Sequence, residues 1–157
     1  MAEISAALVM KLRKMSGQGM MDCKKALEET NSNLEEAMSL LRKKGLATLA
    51  KRAARETTEG RITALKSADG KTAVMASLCC ETDFVSKGDD FIGACEALAK
   101  ILFASTAEQT PESILEEKLD GRKFSDILTE VVSKTGEKIE VGDLAKFTVS
   151  SGTIGTY

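Results

Sequence analysis

Histidine is absent from this 157-residue chain, and with it the side chain that most often serves as general base, triad partner or zinc ligand. Tryptophan is also absent and there is one tyrosine, so the aromatic platforms on which single-stranded nucleic acid stacks are mostly missing. No apolar run approaches the roughly 18–20 residues that span a bilayer. The opening stretch, MAEISAALVM, has neither the basic start nor the long apolar core of a secretory signal. The expectation is a soluble, cytosolic protein. The four cysteines, at 23, 79, 80 and 95, form no CxxC, and neighbours such as Cys79 and Cys80 point to opposite faces of a strand. That spacing suits neither a zinc site nor a disulfide framework, and fits buried thiols in a reducing compartment. Phosphate-binding loops are lacking as well. Gly17-Gln18-Gly19 has no third glycine and no strand before it. Asp89 and Asp90 are neighbours on a helix and do not face one another. These absences argue against an enzyme and against a cofactor or metal.

What is there is an ordinary globular composition, 43% apolar and 29% charged, with an uneven charge distribution. Residues 1–55 carry 11 Lys/Arg against 6 Asp/Glu, and the remainder 11 against 18, so a positive module precedes a negative one. The basic run Arg42-Lys43-Lys44, followed by Lys51, Arg52 and Arg55, fits a solvated helix face or an RNA contact.

The first module reads as three short helices. Ser5 caps the first, with Ile4 able to staple to Val9; Leu8, Leu12 and Met15 form its stripe and Gly17 stops it. The second runs from about Met20 to Thr30 and buries Met20, Cys23, Ala26 and Leu27, with Asn31 available for a left-handed end. The third opens on the capping pair Asn33 and Glu36, buries Leu34, Ala37, Met38 and Leu41, and stops at Gly45. So small a core is marginal alone, so we expect an Ala/Lys-rich helix over 46–55 to tether it to something larger.

Beyond Gly60 the apolar period changes from 3.6 to 2. Arg61–Leu65 and Thr72–Leu78 read as strands around a Ser67-Ala68-Asp69-Gly70 turn. A long helix is expected from Ser86 to Phe103, with Phe91, Cys95, Leu98 and Leu102 on one stripe. Pro111 can open a further helix containing Ile114 and Leu115, and another spans Ser125 to about Lys134 with Ile127, Leu128, Val131 and Val132 inward. Asp143–Val149 reads as a strand, and residues 154–157 as the beginning of one more. The order implies an α+β fold: residues 1–55 as a three-helix domain with its linker helix, and 56–157 as a core domain with a small antiparallel sheet and helices on one face. A chain ending inside an apparent hairpin has the look of a truncated piece.

One segment stands out. Glu81-Thr82-Asp83-Phe84-Val85 joins a strand to a helix, where functional residues are often presented. Asp83 also suits an N-cap and Phe84 a core position, and from the residues alone both readings stand.

The run Leu12-Arg13, Ser16-Gly17, Gly19-Met20-Met21-Asp22-Cys23-Lys24-Lys25-Ala26-Leu27 resembles the opening motif of the elongation factor Ts family. Cys80-Glu81-Thr82-Asp83-Phe84-Val85-Ser86-Lys87 resembles its second hallmark, and Leu41-Arg42-Lys43-Lys44-Gly45 fits between them. The likeness is clear to about residue 103 and looser through Lys134–Ile139 to the end. It implies a guanine-nucleotide exchange factor for the translation GTPase elongation factor Tu, with an N-terminal module like a ubiquitin-associated domain. In that reading Arg13, Met20, Met21 and Lys24 dock on the nucleotide-binding domain of the GTPase, Met20 facing inward and Met21 toward the partner. Thr82, Asp83, Phe84 and Val85 form the loop that enters near its Mg²⁺ site, Phe84 as wedge and Asp83 holding the displaced arrangement. A homodimer is compatible with the resemblance; membrane or direct nucleic-acid contact is not implied. Ser16 and Ser86 stand where the family more often has Thr and Ala, and the sequence that usually follows Gly-x-Tyr is missing. The competing reading is a helical protein- or RNA-binding module, which leaves Thr82–Val85 unexplained.

Overall fold

The computed structural model describes residues 4–52, 54–106 and 108–156. The chain divides into two compact units, one holding the described residues up to 54 with Thr129–Gly136, the other Arg55–Leu128 with Glu137 onward.

In the first unit, local chemistry sets the ends of helices α1 (Ala6–Ser16), α2 (Met20–Glu29) and α3 (Leu34–Arg52). The Ser5 hydroxyl accepts from the Leu8 N–H at 3.2 Å, and Gly17, at φ +68°, closes α1 with its N–H on the Arg13 carbonyl. After α2, Asn31 and Ser32 both take positive φ, and the Ser32 N–H reaches back to the Leu27 carbonyl at 2.8 Å. Asn33 Oδ1 accepts from the Glu35 and Glu36 N–H groups while its amide donates to Glu36 Oε1, a capping box closed side chain to side chain. Val9, Leu12, Cys23, Ala26, Leu27, Ala37 and Leu41 form the core.

Three expectations fail here. Met15 and Met20 are exposed, so the stripes of α1 and α2 do not extend to their outermost methionines. Gly45 does not stop α3, which continues to Arg52. A Cβ at Gly45 would collide with Ser133 Oγ, so the glycine is there for a close approach inside the helix. The side chains over most of 46–52 lie outside the described residues.

The second unit is built on an antiparallel sheet ordered β1 (Glu59–Lys66), β2 (Thr72–Cys80), β5 (Ile139–Thr148). The β1–β2 turn follows the sequence reading, with Gly70 at φ +67° and its N–H on the Ser67 carbonyl. Val74, Ala76, Leu78 and Cys80 alternate inward from the central strand. Helix α5 (Asp89–Ala104) covers that face with Phe91, Cys95, Leu98 and Leu102 buried on one stripe. The other face carries exposed Ile62, Met75 and Phe147. The fold is α+β.

The expected helix from Ser86 to Phe103 is in fact two. A single turn, α4 (Asp83–Ser86), ends at Lys87, and α5 restarts at Asp89. Gly88 is extended there, and Asp89 and Asp90 sit in the new first turn, where the helix dipole favours acidic groups. Strand β5 begins at Ile139, ahead of the expected Asp143, with a register shift opposite Ala76–Leu78 where a Cβ on Gly142 would strike Ser77 Oγ. Pro111 precedes a short 3-10 turn (Ser113–Glu116) that buries Ile114. A two-residue hairpin, β3 (Lys118–Leu119) and β4 (Arg122–Lys123), turns on Asp120-Gly121 ahead of α6 (Phe124–Thr135). Residues 154–156 form no strand; the Ile154 N–H bonds the Gly70 carbonyl instead. Tyr157 lies outside the described residues.

Candidate functional site

Of the side chains on the Thr82–Val85 segment, Phe84 is the most exposed, with 84% of its surface open to solvent. The reading of Phe84 as core therefore fails. So does that of Asp83 as N-cap: Thr82 holds that position, with extended backbone and no capping hydrogen bond from its side chain, and Asp83 is the first residue of α4. Asp83 pairs with Lys87 one turn on, at 2.7 Å, and that hydrogen bond and charge hold its carboxyl below the usual carboxylate value while raising Lys87. Ser86 is buried beneath the turn and its hydroxyl donates to the Asp83 carbonyl at 3.0 Å. A lone exposed hydrophobe is ordinary on a protein surface. Phe84 differs because the backbone that carries it is fixed on both sides.

Much of the fixing comes from a clasp where the β2–β5 ladder ends. Glu137 Oε2 accepts from the Glu81 and Thr82 N–H groups at 3.1 and 3.0 Å, and Oε1 from the Thr82 hydroxyl at 2.5 Å. Glu81 answers by accepting from the Lys138 N–H at 2.5 Å, and Arg55 reaches both of its carboxylate oxygens at 3.1–3.2 Å. The Cys80 thiol donates to the Thr82 carbonyl at 3.2 Å. Burial, then the nearby Glu137 charge, pushes that thiol up to about 11, so it stays a protonated donor near neutral pH. Sequence reasoning missed Glu137, which is 55 residues from Thr82 and belongs to no local pattern.

Asp83→Ala is expected to leave the melting temperature nearly unchanged near neutral pH, because the pair it removes is solvent-exposed. A carboxyl held low contributes its stability above the ordinary value, 3.8, and loses it only as pH falls through the lower native value. The variant's melting temperature should therefore lie no more than slightly below the parent's from about pH 5 to 8, and the two should coincide once acid has protonated Asp83.

The N-terminal candidates lie on α1 and α2. Met20 and Met21 are 44% and 62% exposed, so Met20 does not face inward; the core side of α2 begins at Cys23. Lys24 follows Met20 by one turn and makes a loose 3.8 Å pair with Glu28. Arg13 is exposed in the last turn of α1. The corner between the two helices is fixed by buried Ser16, whose hydroxyl takes the Gln18 N–H at 3.2 Å and meets Cys23 Sγ at 3.5 Å. Met10 and Met15 are also exposed on α1, an apolar surface the sequence reading did not include.

Among the described residues, no group of three or more Cys, Asp or Glu side chains is arranged to hold a metal ion, and no helix is long and apolar enough to cross a membrane.

Comparison with known proteins bears out the sequence resemblance. Residues 81–157 match the family model described as Elongation factor TS. Over 155 residues, or 98% of the chain, it is 43% identical to Elongation factor Ts of Clostridium perfringens, of which it covers 51%. It is 42% identical over 154 residues to the protein of that name from Methylococcus capsulatus, covering 98% of this chain and 53% of the relative. With that of Chlorobaculum parvum it shares 42% identity over 160 residues, 100% of this chain and 56% of the relative. The chain thus spans about half the length of the curated relatives it matches.

Proposed function

We propose, from its similarity to elongation factor Ts proteins, that this chain is a member of that family and a guanine-nucleotide exchange factor for elongation factor Tu. It acts by binding, without a chemical step of its own. The observation that carries the reading is Phe84, an aromatic ring held in solvent on a turn whose backbone is pinned. In this reading residues 1–55 form a docking module of the ubiquitin-associated type, and 56–157 a core that presents Thr82, Asp83, Phe84 and Val85 to the Mg²⁺ region of the GTPase.

Mechanistically, the factor and the nucleotide are coupled ligands of one protein. The conformation of the GTPase that accepts Phe84 holds Mg²⁺ and phosphate poorly, so GDP leaves faster. By reciprocity, nucleotide weakens the factor's binding equally, and incoming GTP expels it. A coupling of about 3 kcal/mol corresponds to roughly a 150-fold change in affinity. Exchange is hastened without a preference for either nucleotide.

Docking rests on the exposed Met20-Met21 pair together with Arg13 and Lys24. Methionine suits such a contact because its side chain is unbranched and polarizable. The Met20→Ala, Met21→Ala double variant is expected to bind elongation factor Tu at least roughly tenfold more weakly, as for truncation of two interface anchors. Its melting temperature should hold, because neither side chain belongs to the core. Calorimetric titration beside a melting curve checks both halves.

Function itself is tested by stopped-flow release of a fluorescent GDP analogue from bacterial elongation factor Tu. Release that accelerates with added chain supports the exchange reading. Absence of both binding and acceleration sinks it and restores the reading as a helical protein- or RNA-binding module, whose mark is affinity that falls steeply with salt.

A further inference from the structure

We propose that Glu137 is a positioning residue for exchange: its carboxylate, bound to the Glu81 and Thr82 N–H groups and the Thr82 hydroxyl, fixes the direction in which Phe84 projects. The inference rests on the exchange-factor reading and adds to it a residue outside the presented loop.

Helix α4 begins without a side-chain cap. A helix start leaves N–H groups without intrahelical partners, and the usual remedy is an N-cap side chain. Thr82 occupies the cap and makes no such bond. A four-residue turn is unfavourable to nucleate alone, so its direction depends on how the chain enters it. Glu137 supplies the restraint one step earlier, on the two residues through which β2 runs into the turn. Thr82 is held at its N–H and hydroxyl by Glu137 and at its carbonyl by Cys80. Its rotation about the backbone, which would swing Phe84, is thereby blocked at three points.

The geometry that brings Glu137 there is built into the fold. α6 ends with Gly136 at φ +76°, its N–H on the Val132 carbonyl, and the chain turns directly into β5. The ladder places Cys80 opposite Ile139, so Glu81 and Lys138 face each other at its open end. Glu137 is then the second residue beyond the ladder on one strand, and Thr82 the second on the other. The Glu81 carboxylate accepts from the Lys138 N–H while Glu137 accepts from the Glu81 N–H, so each strand end is held by a carboxylate from the other. Arg55 on Glu81 offsets the negative charge of two acidic side chains drawn to one place.

A residue that acts through Phe84 must have no effect once Phe84 is gone, and this gives the decisive experiment. Glu137→Ala is expected to lower saturating GDP release from elongation factor Tu roughly tenfold, within the range by which non-contacting residues alter coupling between sites. In the Phe84→Ala background it should change nothing further. Glu137→Gln keeps the side-chain length: its carbonyl can take both N–H groups and its amide can donate to the Thr82 hydroxyl. It should restore release to within about threefold of the parent. Hydrogen exchange supplies the readout that does not depend on the GTPase. In Glu137→Ala, amides of residues 82–86 should exchange faster while those of Val74–Leu78 stay protected. Equal loss at the β2 amides, or equal effects of Glu137→Ala with and without Phe84, would overturn the proposal in favour of a general structural role. If Phe84→Ala itself releases GDP like the parent, the exchange reading of the loop has failed. The positioning claim is then decided by hydrogen exchange alone, where unchanged exchange at 82–86 in Glu137→Ala refutes it.

Discussion

Phe84→Ala is expected to return GDP release from elongation factor Tu to near its spontaneous rate while leaving the chain's melting temperature almost unchanged. The two halves have separate physical grounds. An aromatic anchor at the centre of an interface contributes about 2 kcal/mol or more on truncation, and about 2.7 kcal/mol is a factor of 100. Where that contact forms only in the state that has lost its nucleotide, the loss falls on coupling, and so on rate. Stability responds differently. A buried phenylalanine costs about 3–5 kcal/mol when cut to alanine, which for a unit of this size lowers the melting temperature by more than about 10 °C. Exposed substitutions stay within about 0.5 kcal/mol. Phe91, at 1% exposure on α5, is the internal control. Phe91→Ala should destabilise strongly, and Phe84→Ala should not. A large melting shift for Phe84→Ala would return Phe84 to the core. An unaltered release rate would remove it from the mechanism.

What was legible in the sequence was mostly chemistry between near neighbours. Ser5 with Leu8, Gly17, Asn33 with Glu36, and Asp69-Gly70 each terminate or turn the chain through contacts within four residues, and each is found as read. The α5 stripe was equally plain because Phe91, Cys95, Leu98 and Leu102 repeat at helical spacing over a fully covered face. Asp120-Gly121 carried the same turn signal as Asp69-Gly70, but strands of two residues are too short to alternate, so the β3–β4 hairpin passed unseen.

Elsewhere a distant partner overrode the local preference. Gly45 reads as a helix stop from propensity, but the close approach of Ser133 gives it a different use. Met20 lies one turn before Cys23 and so continues an apolar stripe, yet the core has already ended there and the side chain meets solvent. The Phe84 loop stands out in the sequence as a strand-to-helix joint, but only its likeness to a family motif separates a functional Phe84 from a core one. Its exposure and its anchoring by Glu137 depend on β5 pairing with β2, a contact between residues more than fifty positions apart. Periodicity carries no information about that pairing.

The second large effect belongs to the helical unit and should separate affinity from rate. Leu27→Ala removes a fully buried side chain from a core of Val9, Leu12, Cys23, Ala26, Ala37 and Leu41. Such a deletion costs about 2.7–5 kcal/mol. At about 0.05–0.15 kcal/mol per residue, a unit of roughly fifty residues has only some 2.5–7.5 kcal/mol to lose. The helices around Leu27 should therefore melt as a group, visible as collapse of their amide resonances, while those of Val74–Leu78 and Phe91–Leu102 persist. If Arg13, Met20, Met21 and Lys24 dock as proposed, they do so only when these helices are formed, and the concentration of chain needed for half-maximal GDP release should rise by about tenfold or more. The release rate at saturation should change far less, since Phe84 is untouched. That is the reverse of Phe84→Ala, in which saturation cannot restore the rate. If Leu27→Ala instead lowered the saturating rate and left the half-maximal concentration alone, the helical unit would be part of the wedge and not its dock, and the division of labour between the two units would have to be abandoned.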